Sequence, residues 1–411
     1  MVIKNAVIAT PAGNKAKRGA EQGQISIIKN AALLTEGNRI VFAGDQSQLP
    51  HCPPDADELD AGGRLITPGL VDAHTHPVFG GWRQHELAQK LAGVSYMDIL
   101  KGGGGILSTV ESTRAIDKAG LKWKTQKLFL LMLSHGTTTC EAKSGYGLDL
   151  ENETKQLAVL KELNESPSCP ISIIPTFMGA HAVPKESGHD EYVEALISQM
   201  IPKIAESGLA EYCDVFCEND VFTADESRKI LLKARECGLK LKLHADEIES
   251  GGGAELAAEL GAASAEHLIE ASDKGIQAMA KAGVIAVLLP ATSFYLDKPY
   301  ARARAMIERG MAVAAASDFN PGSSPSLNLQ FVMTLACLKY RLTPAECLTA
   351  VTLNAAAALG RAQDIGTLEE GKLADAVLWD APDLDFLLYR YGNNQADIII
   401  KNGIIIRGAK T

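Results

Sequence analysis

Residues 65–76 read LITPGLVDAHTH, an apolar run that leads into the pair His74-x-His76. The run has the composition of a buried strand, so both histidines would emerge where that strand ends. Side chains two residues apart on an extended chain point to the same side, and both imidazoles can therefore reach one cation. Such a pair is a weak signal by itself. The stretch predicts a strand of a parallel sheet with polar chemistry at its carboxyl end.

The positions of other histidines strengthen this prediction. The chain has nine histidines, and two more follow short strand-like runs: His244 after LKLKL and His267 after SAE. A further apolar run, residues 311–317, leads into Asp318. Three neutral imidazoles and a carboxylate, with another histidine nearby, suit a catalytic zinc or iron ion that activates water.

Short apolar runs alternate with longer segments of helical period along the middle of the chain, as in parallel βα units. Candidate strands cover residues 66–72, 136–142, 171–177, 213–219, 239–244, 263–267, 284–289 and 311–317. Eight parallel strands close a (β/α)8 barrel, whose chemistry gathers at the C-terminal ends of the strands. Such ends carry His74, His76, His181, His244, His267 and Asp318. We therefore predict an α/β fold with a TIM-like barrel over residues 66–365.

The two ends of the chain have a different pattern. Residues 1–65 and 366–411 contain short apolar runs separated by Gly, Asn and Asp turns, among them Asn402-Gly403. Tight turns of this kind connect antiparallel strands. Neither end alone would bury much surface. We expect both termini to build one small β-sandwich domain against the barrel.

Composition and charge argue against several classes of protein. The net charge of −10 and a pI near 5.5 disfavour nucleic-acid or anionic-membrane binding. No apolar run approaches the roughly 20 residues of a membrane span, and the N-terminus lacks the shape of a signal peptide. The eight cysteines contain no CxxC pair, which is typical of reduced thiols. We expect a cytoplasmic enzyme in which an anionic ligand would need a local cation.

Longer segments carry a specific resemblance. Residues 65–76 resemble the opening of amidohydrolase-superfamily enzymes, and GTLEEGKLAD at 366–375 resembles their C-terminal β-domain signature. Within that superfamily the chain closely resembles the imidazolonepropionase family. The shared segments are VFGGWR (78–83), GGGILSTV (103–110), KSGYGL (143–148), TFMGAHAVP (176–184), HADE (244–247) and DFNPGSS (318–324).

The resemblance implies hydrolysis of 4-imidazolone-5-propanoate to N-formimidoyl-L-glutamate in histidine degradation. It implies a homodimer with one Zn2+ or Fe3+ per chain, and a metal held by His74, His76, His244 and Asp318. The residues that it places against substrate or product are Arg83, Tyr146, His181, Glu247, Asn320, Gly322 and Ser323.

Residue chemistry supplies reasons for these roles. Asp318 can accept a proton from the attacking water, and His267 can stabilise the developing oxyanion. Glu247, three residues after a ligand, can carry a proton to the departing ring nitrogen, which is otherwise a poor leaving group. Arg83 can pair bidentately with the propionate and so supply the local cation. Tyr96 is an additional candidate for binding the propionate.

Several of these residues also have a structural interpretation. His267 can be the partner of a neighbouring loop, Arg83 a member of a surface ion pair, and Tyr146 and His181 part of the core. Glu218 closes the fourth strand, where binuclear amidohydrolases place a bridging carboxylate or a carboxylated lysine. Because the resemblance implies a single metal, Glu218 is left out of the ligand set.

Two other functions remain open. One is an amidohydrolase that deaminates a heterocyclic base, because His244-x-x-Glu247 is also the proton-transfer arrangement of those enzymes. A neutral base, however, has no need of Arg83. The other is a catalytically idle barrel that serves as a binding or scaffold protein, against which the complete ligand set and Glu247 argue.

Overall fold

The computed structural model describes residues 1–52, 56–94 and 104–407. Strands of the middle of the chain form one parallel sheet in chain order. Their bounds are β6 Leu70–Asp72, β7 Thr137–Lys143, β8 Ser172–Ala180, β9 Tyr212–Cys217, β10 Lys240–Ala245, β11 Ser264–His267, β12 Ile285–Leu288 and β13 Val313–Ala315. Every neighbouring pair in this sheet is parallel. The predicted α/β fold with an eight-stranded barrel is confirmed.

The barrel closes where its first and last strands end. Thr75, just past β6, forms a parallel bridge with Phe319, just past β13. The N–H of His76 donates to the carbonyl of Phe319 at 2.8 Å, and the N–H of Asp318 donates to the carbonyl of His74 at 3.1 Å. These backbone bonds hold Asp318 beside His74 and His76, although Asp318 lies more than 240 residues beyond them in sequence.

The predicted single strand over residues 66–72 is wrong, because the structure divides this run into two strands. Leu65–Pro68 (β5) pairs with strands of the chain termini, whereas β6 begins at Leu70 and belongs to the barrel. Gly69 lies at the break. A Cβ atom at that position would lie 2.3 Å from Oγ1 of Thr138, so the close approach of the two segments requires glycine. The dipeptide Pro68-Gly69 within this run was a usable signal of the break.

Both termini contribute to a second, mixed sheet. Its strands run in the order β16-β15-β14-β5-β1-β2-β3, with β4 also paired to β1. Their bounds are β1 Val2–Pro11, β2 Ile25–Glu36, β3 Arg39–Asp45, β4 Glu58–Asp60, β14 Ala376–Trp379, β15 Ala396–Lys401 and β16 Ile404–Arg407. The predicted turn joins β15 to β16, with φ of 51° at Asn402 and 76° at Gly403. Indole Nε1 of the buried Trp379 donates to Oγ1 of Thr67 at 2.9 Å and joins the two parts of this sheet.

Helices connect the strands and cover the barrel. They are Leu87–Leu91, Ile106–Ala115, Lys118–Ser134, Leu150–Asn164, His189–Ala195, Ile201–Ser207, Ala224–Glu236, Gly253–Leu260, Asp273–Ala282, Pro290–Leu296, Ala303–Glu308, Leu329–Tyr340, Pro344–Ala350, Leu353–Ala358 and Leu384–Tyr389. Several of them begin with a capping residue, as in the capping box of Thr223 with Glu226. Within the described parts of the chain, no helix has the length and apolar character needed to cross a membrane.

Candidate active site

Four side chains converge at the C-terminal end of the barrel. His76 Nε2 lies 3.2 Å from His74 Nε2 and 3.4 Å from His244 Nε2. Asp318 Oδ1 lies 3.4 Å from His74 Nε2 and 3.6 Å from His76 Nε2. A tetrahedral zinc ion with bonds of about 2.0–2.1 Å holds its donor atoms about 3.3 Å apart. The spacing of these pairs matches that of such a site. The described groups of three side chains close enough to share an ion include His74, His76 and Asp318, and His74, His244 and His267.

The protonation of these groups also favours a metal ion. Burial lowers the pKa of His74 and His76 well below that of ordinary histidine, and the Lys143 ammonium and the His181 ring add to the effect. Burial raises the pKa of Asp318 to about 7. Oγ1 of Thr292 donates to Asp318 Oδ2 at 2.5 Å, while Oδ1 faces the imidazoles. Neutral imidazoles and a carboxyl oxygen turned toward them are the donor set that zinc or iron binds.

A network of buried charges lies beside the ligands inside the barrel. The side chains, all 0% exposed, are Glu141, Lys143, Asp214, Lys242 and Glu266. Nζ of Lys143 lies 2.5 Å from Asp214 Oδ2 and 2.9 Å from Glu141 Oε2. Burial lowers the pKa of Lys143, but the neighbouring carboxylates outweigh burial and raise that pKa above its usual value. Lys143 therefore stays charged and paired, and Nζ of Lys242 lies 3.2 Å from Glu141 Oε1.

Asp214 connects this network to the ligand set. Nδ1 of His244 lies 3.1 Å from Asp214 Oδ1, which can only accept a hydrogen bond from it. The backbone N–H of His244 donates to the same oxygen at 3.2 Å. A proton held on Nδ1 leaves Nε2 free to bind a cation. Sequence reasoning missed these groups, although charged residues inside apolar strands, such as Lys143 and Lys242, were a usable signal.

Glu247 and His267 lie together next to the ligands. Oε2 of Glu247 is 3.5 Å from Nε2 of His267. Burial raises the pKa of Glu247 to about 8, and the carboxylates of Asp318 and Glu218 add to the shift. His267 and Asp318 have positive φ values of 68° and 51°. Non-glycine residues rarely adopt this conformation, and functional sites often contain it.

Glu218 supports the loop that carries Glu247. Its Oε1 accepts the backbone N–H groups of Glu247 at 2.6 Å and Ile248 at 3.0 Å. Among the described residues, the groups of three histidine, aspartate or glutamate side chains close enough to share an ion do not include Glu218. The side-chain hydrogen bonds that the structure gives Glu218 are therefore with this loop.

Arg83 and the loop after Asp318 form a second part of the site. A Cβ atom at Gly322 would lie 1.0 Å from Nη2 of Arg83, so the guanidinium rests directly on the glycine backbone. Nε of Arg83 is buried without a hydrogen-bond partner. A cavity of about 500 Å³ opens here, lined by Trp82, Arg83, Gln84, Leu87, Tyr295, Pro321 and Pro325. Tyr96, the additional candidate for this end of the substrate, lies outside the described residues.

The side chain of Asn320 is engaged within its own loop. Its Oδ1 accepts the N–H groups of Gly322 and Ser323, both at 2.8 Å. Its Nδ2 donates to the carbonyl of Asp318 at 2.7 Å and to Oγ of Ser323 at 2.8 Å. In this arrangement the Asn320 amide shapes the loop that carries Gly322 and Ser323.

Tyr146 and His181 border the ligand set on another side. The His181 ring stacks on the His76 ring at 5.1 Å, with 23° between their planes. The Tyr146 ring lies 5.3 Å from His181 and 6.2 Å from His76. Nδ1 of His181 donates to the carbonyl of Gly145 at 3.0 Å. Both side chains are therefore beside the candidate metal ligands.

Comparisons with known proteins agree with the geometry. The amidohydrolase family profile matches residues 65–407. Imidazolonepropionase from Alkaliphilus metalliredigens is 48% identical over 405 residues, with 97% of this chain and 96% of that protein covered. Imidazolonepropionase from Brevibacillus brevis is 50% identical over 407 residues, with coverage of 97% and 96%.

Solved structures show the same fold at low sequence identity. The 5-methylcytosine deaminase from Klebsiella pneumoniae, liganded with 5-fluorocytosine, superposes with a TM-score of 0.74 at 18% identity, covering 99% of this chain and 97% of that one. An adenosine deaminase from Xanthomonas campestris with bound zinc has a TM-score of 0.69 at 20% identity, with coverage of 98% and 92%. Sequence identity of 48–50% over 97% of the chain identifies a family far more specifically than this shared fold does. The chain belongs to the imidazolonepropionase family of the amidohydrolases.

Proposed function

We propose that the chain hydrolyses the ring amide of 4-imidazolone-5-propanoate to N-formimidoyl-L-glutamate at the site described above. The observation that carries this assignment is the guanidinium of Arg83, seated on Gly322, four residues beyond the ligand Asp318. A fixed cation close to a metal-binding set suits a substrate with a carboxylate at one end and a hydrolysable amide at the other. A neutral heterocyclic base has no carboxylate for Arg83 to bind.

His74, His76, His244 and Asp318 would hold one Zn2+ or Fe3+. When bound, such an ion supplies a nucleophile near neutral pH, because it lowers the pKa of a water molecule. The donor distances of 3.2–3.6 Å that join His76 to the other three residues, and His74 to Asp318, support a single ion for these residues. Nitrogen and oxygen donors suit zinc and iron alike.

The protein side chains then move the protons. Asp318 accepts a proton from the water that attacks the ring carbonyl, and an N–H of His267 stabilises the oxyanion on that carbonyl. The bond between the carbonyl carbon and the ring nitrogen breaks, and Glu247 Oε2 delivers a proton to the nitrogen. The raised pKa of Glu247, about 8, supports this role, because the group can hold a proton near neutral pH.

Arg83 binds the propionate, and Gly322 and Ser323 line the same end of the substrate. Tyr146 and His181 contact the ring from the side of His76. Their ring distances of 5.1–6.2 Å to one another and to His76 support this placement. Asn320 acts mainly through the loop that it holds.

The direct test is turnover. Metal-loaded protein is incubated with freshly generated imidazolone propionate, and formimidoylglutamate is detected by mass spectrometry, with chelator-treated protein as the control. We expect product only with metal. Release of ammonia from cytosine or guanine, without turnover of imidazolone propionate, would contradict the assignment and support the deaminase alternative. Turnover of neither substrate class would support the scaffold alternative.

We also propose that the enzyme is a cytoplasmic homodimer. All eight cysteines are free thiols, as expected in a reducing compartment. The contacting helices Leu329–Tyr340 and Leu384–Tyr389 expose Leu338 (61%) and Tyr389 (83%), which a partner subunit would cover. Light scattering that gives the mass of a monomer at micromolar concentration would contradict the dimer.

A further inference from the structure

Glu153 has an unusual set of hydrogen-bond partners for a residue in the first turn of a helix. Its carboxylate is fully buried, at 0% exposure. It accepts the backbone N–H groups of Gly145 at 3.0 Å, Gly147 at 2.7 Å and Leu148 at 2.9 Å. All three donors belong to residues 144–148, the segment that follows β7 and carries Tyr146. One carboxylate therefore holds three of the five backbone N–H groups of the segment, on both sides of Tyr146, whose own N–H donates to Gln156 Oε1 at 3.3 Å.

The helix does not need Glu153 for its own N-terminus. Asp149 caps the helix Leu150–Asn164 by accepting the N–H of Asn152 at 2.7 Å. Glu151 occupies the same first turn and is exposed, so it supplies a favourable charge there without contacting the segment. The Glu153 carboxylate is instead turned toward residues 144–148 and buried against them.

The segment in turn fixes His181. The carbonyl of Gly145 accepts the Nδ1–H of His181 at 3.0 Å. Since a carbonyl can only accept, this bond keeps the imidazole proton on Nδ1 and leaves Nε2 as an acceptor. Gly145 has a φ of +104°, and a Cβ atom there would lie 2.8 Å from His181 Nδ1. The His181 ring therefore lies close against the Gly145 backbone, and its position depends on that backbone.

We propose that Glu153 is a positioning residue for the reaction, because its buried carboxylate holds residues 144–148 so that Tyr146 and the correct tautomer of His181 face the substrate. This inference rests on the proposed function for the binding roles of Tyr146 and His181. Glu153 itself touches neither the substrate nor the metal ligands. It acts through the backbone of the segment.

The test compares Glu153→Gln with Glu151→Gln, which removes the same charge from the same helical turn without touching the segment. A glutamine at 153 cannot accept N–H bonds through both terminal atoms. We expect kcat/KM of Glu153→Gln to fall about tenfold, mainly through KM, because binding groups are displaced while the ligand set is kept. Metal content should stay unchanged. Folded Glu153→Gln with the kinetics of Glu151→Gln would overturn the proposal.

Two measurements do not depend on turnover, so they separate this proposal from the proposed function. In 15N-histidine NMR spectra, with the His181 signals assigned from a His181→Gln sample, metal-loaded wild type should show the Nδ1–H tautomer. Glu153→Gln should show a mixture of tautomers. An unchanged His181 tautomer in folded Glu153→Gln would overturn the proposal.

The second measurement uses wild type alone and remains valid if Glu153→Gln does not fold. Hydrogen exchange followed by mass spectrometry should show slow exchange for peptides that contain residues 145–148, because their N–H groups are bound to a buried carboxylate. Exchange as fast as in exposed loops would mean that Glu153 does not hold the segment, and the proposal would fail.

Discussion

Gly322 leaves the space that the guanidinium of Arg83 occupies, since a Cβ atom at position 322 would lie 1.0 Å from Nη2 and 1.8 Å from Cζ. The backbone at Gly322 is not left-handed, so glycine is needed here for room rather than for conformation. The two residues lie more than 230 positions apart in sequence. Their contact joins the loop that follows the first barrel strand to the loop that follows the last.

Replacing Arg83 by methionine should weaken turnover of the carboxylate substrate. The change removes charge-assisted hydrogen bonds worth roughly 1.5–3 kcal/mol each, so kcat/KM should fall by at least the contribution of one such bond, about 10- to 150-fold. Lysine should rescue only part of the loss, because a point charge cannot reproduce the planar fork. Wild type and Arg83→Met are compared on imidazolone propionate and on an analogue without the carboxylate. If the ratio of kcat/KM for the two substrates is the same in wild type and in Arg83→Met, Arg83 does not bind the carboxylate.

Replacing Gly322 by alanine should reproduce part of the Arg83 defect with the arginine still present. The new methyl group requires the guanidinium to move, so KM for imidazolone propionate should rise roughly tenfold, with a smaller change for the analogue. Gly188→Ala is the matched control, because a Cβ atom there meets nothing closer than 3.9 Å. Identical KM values for Gly322→Ala and Gly188→Ala would contradict the prediction.

His76→Ala should lose both metal and activity while the barrel still folds, because His76 Nε2 lies near three other donors at 3.2–3.6 Å. Elemental analysis of purified wild type should give about one metal ion per chain, because only one set of donors is assigned to an ion. Circular dichroism checks the fold of the variant. Two tightly held ions per wild-type chain would bring Glu218 into the site and refute the mononuclear arrangement.

Asp214→Asn should weaken metal binding without removing a ligand. The carboxylate that accepts Nδ1–H of His244 becomes an amide, so the imidazole is held less firmly, and Lys143 loses its nearest anion. Loss of a carboxylate behind a ligating histidine typically costs about 10- to 100-fold in metal affinity. Competition with a chelator measures this affinity, and Asp220→Asn, an exposed aspartate after the same strand, is the control. Unchanged affinity in Asp214→Asn would mean that the network has no part in metal binding.

Glu247→Gln should keep the metal and lose turnover. The amide preserves the shape of the side chain but carries no titratable proton, so kcat should fall about 100-fold or more. Metal analysis and substrate KM show whether the site is otherwise intact. Near-normal kcat would mean that another group protonates the departing nitrogen.

Much of this architecture could be predicted because it depends on local patterns. Apolar runs at regular intervals predicted the strands of the barrel, and the i, i+2 spacing of His74 and His76 predicted that both reach one ion. The turn at Asn402-Gly403 was also predicted correctly, since both residues tolerate positive φ. The break at Gly69 was missed, although the dipeptide Pro68-Gly69 signals a turn. Its close contact with Thr138, which requires glycine, could not be predicted, because Thr138 lies on another strand.

The sequence alone therefore determined which side chains stand at strand ends, because periodicity and spacing are local properties of the chain. Tertiary structure decided which of those side chains meet. Closure of the barrel placed Asp318 beside His74 and His76. It also paired Lys143 with Asp214, 71 residues away, and laid Arg83 on Gly322. Such pairs depend on how distant segments pack around the barrel, and no pattern within one segment encodes that packing.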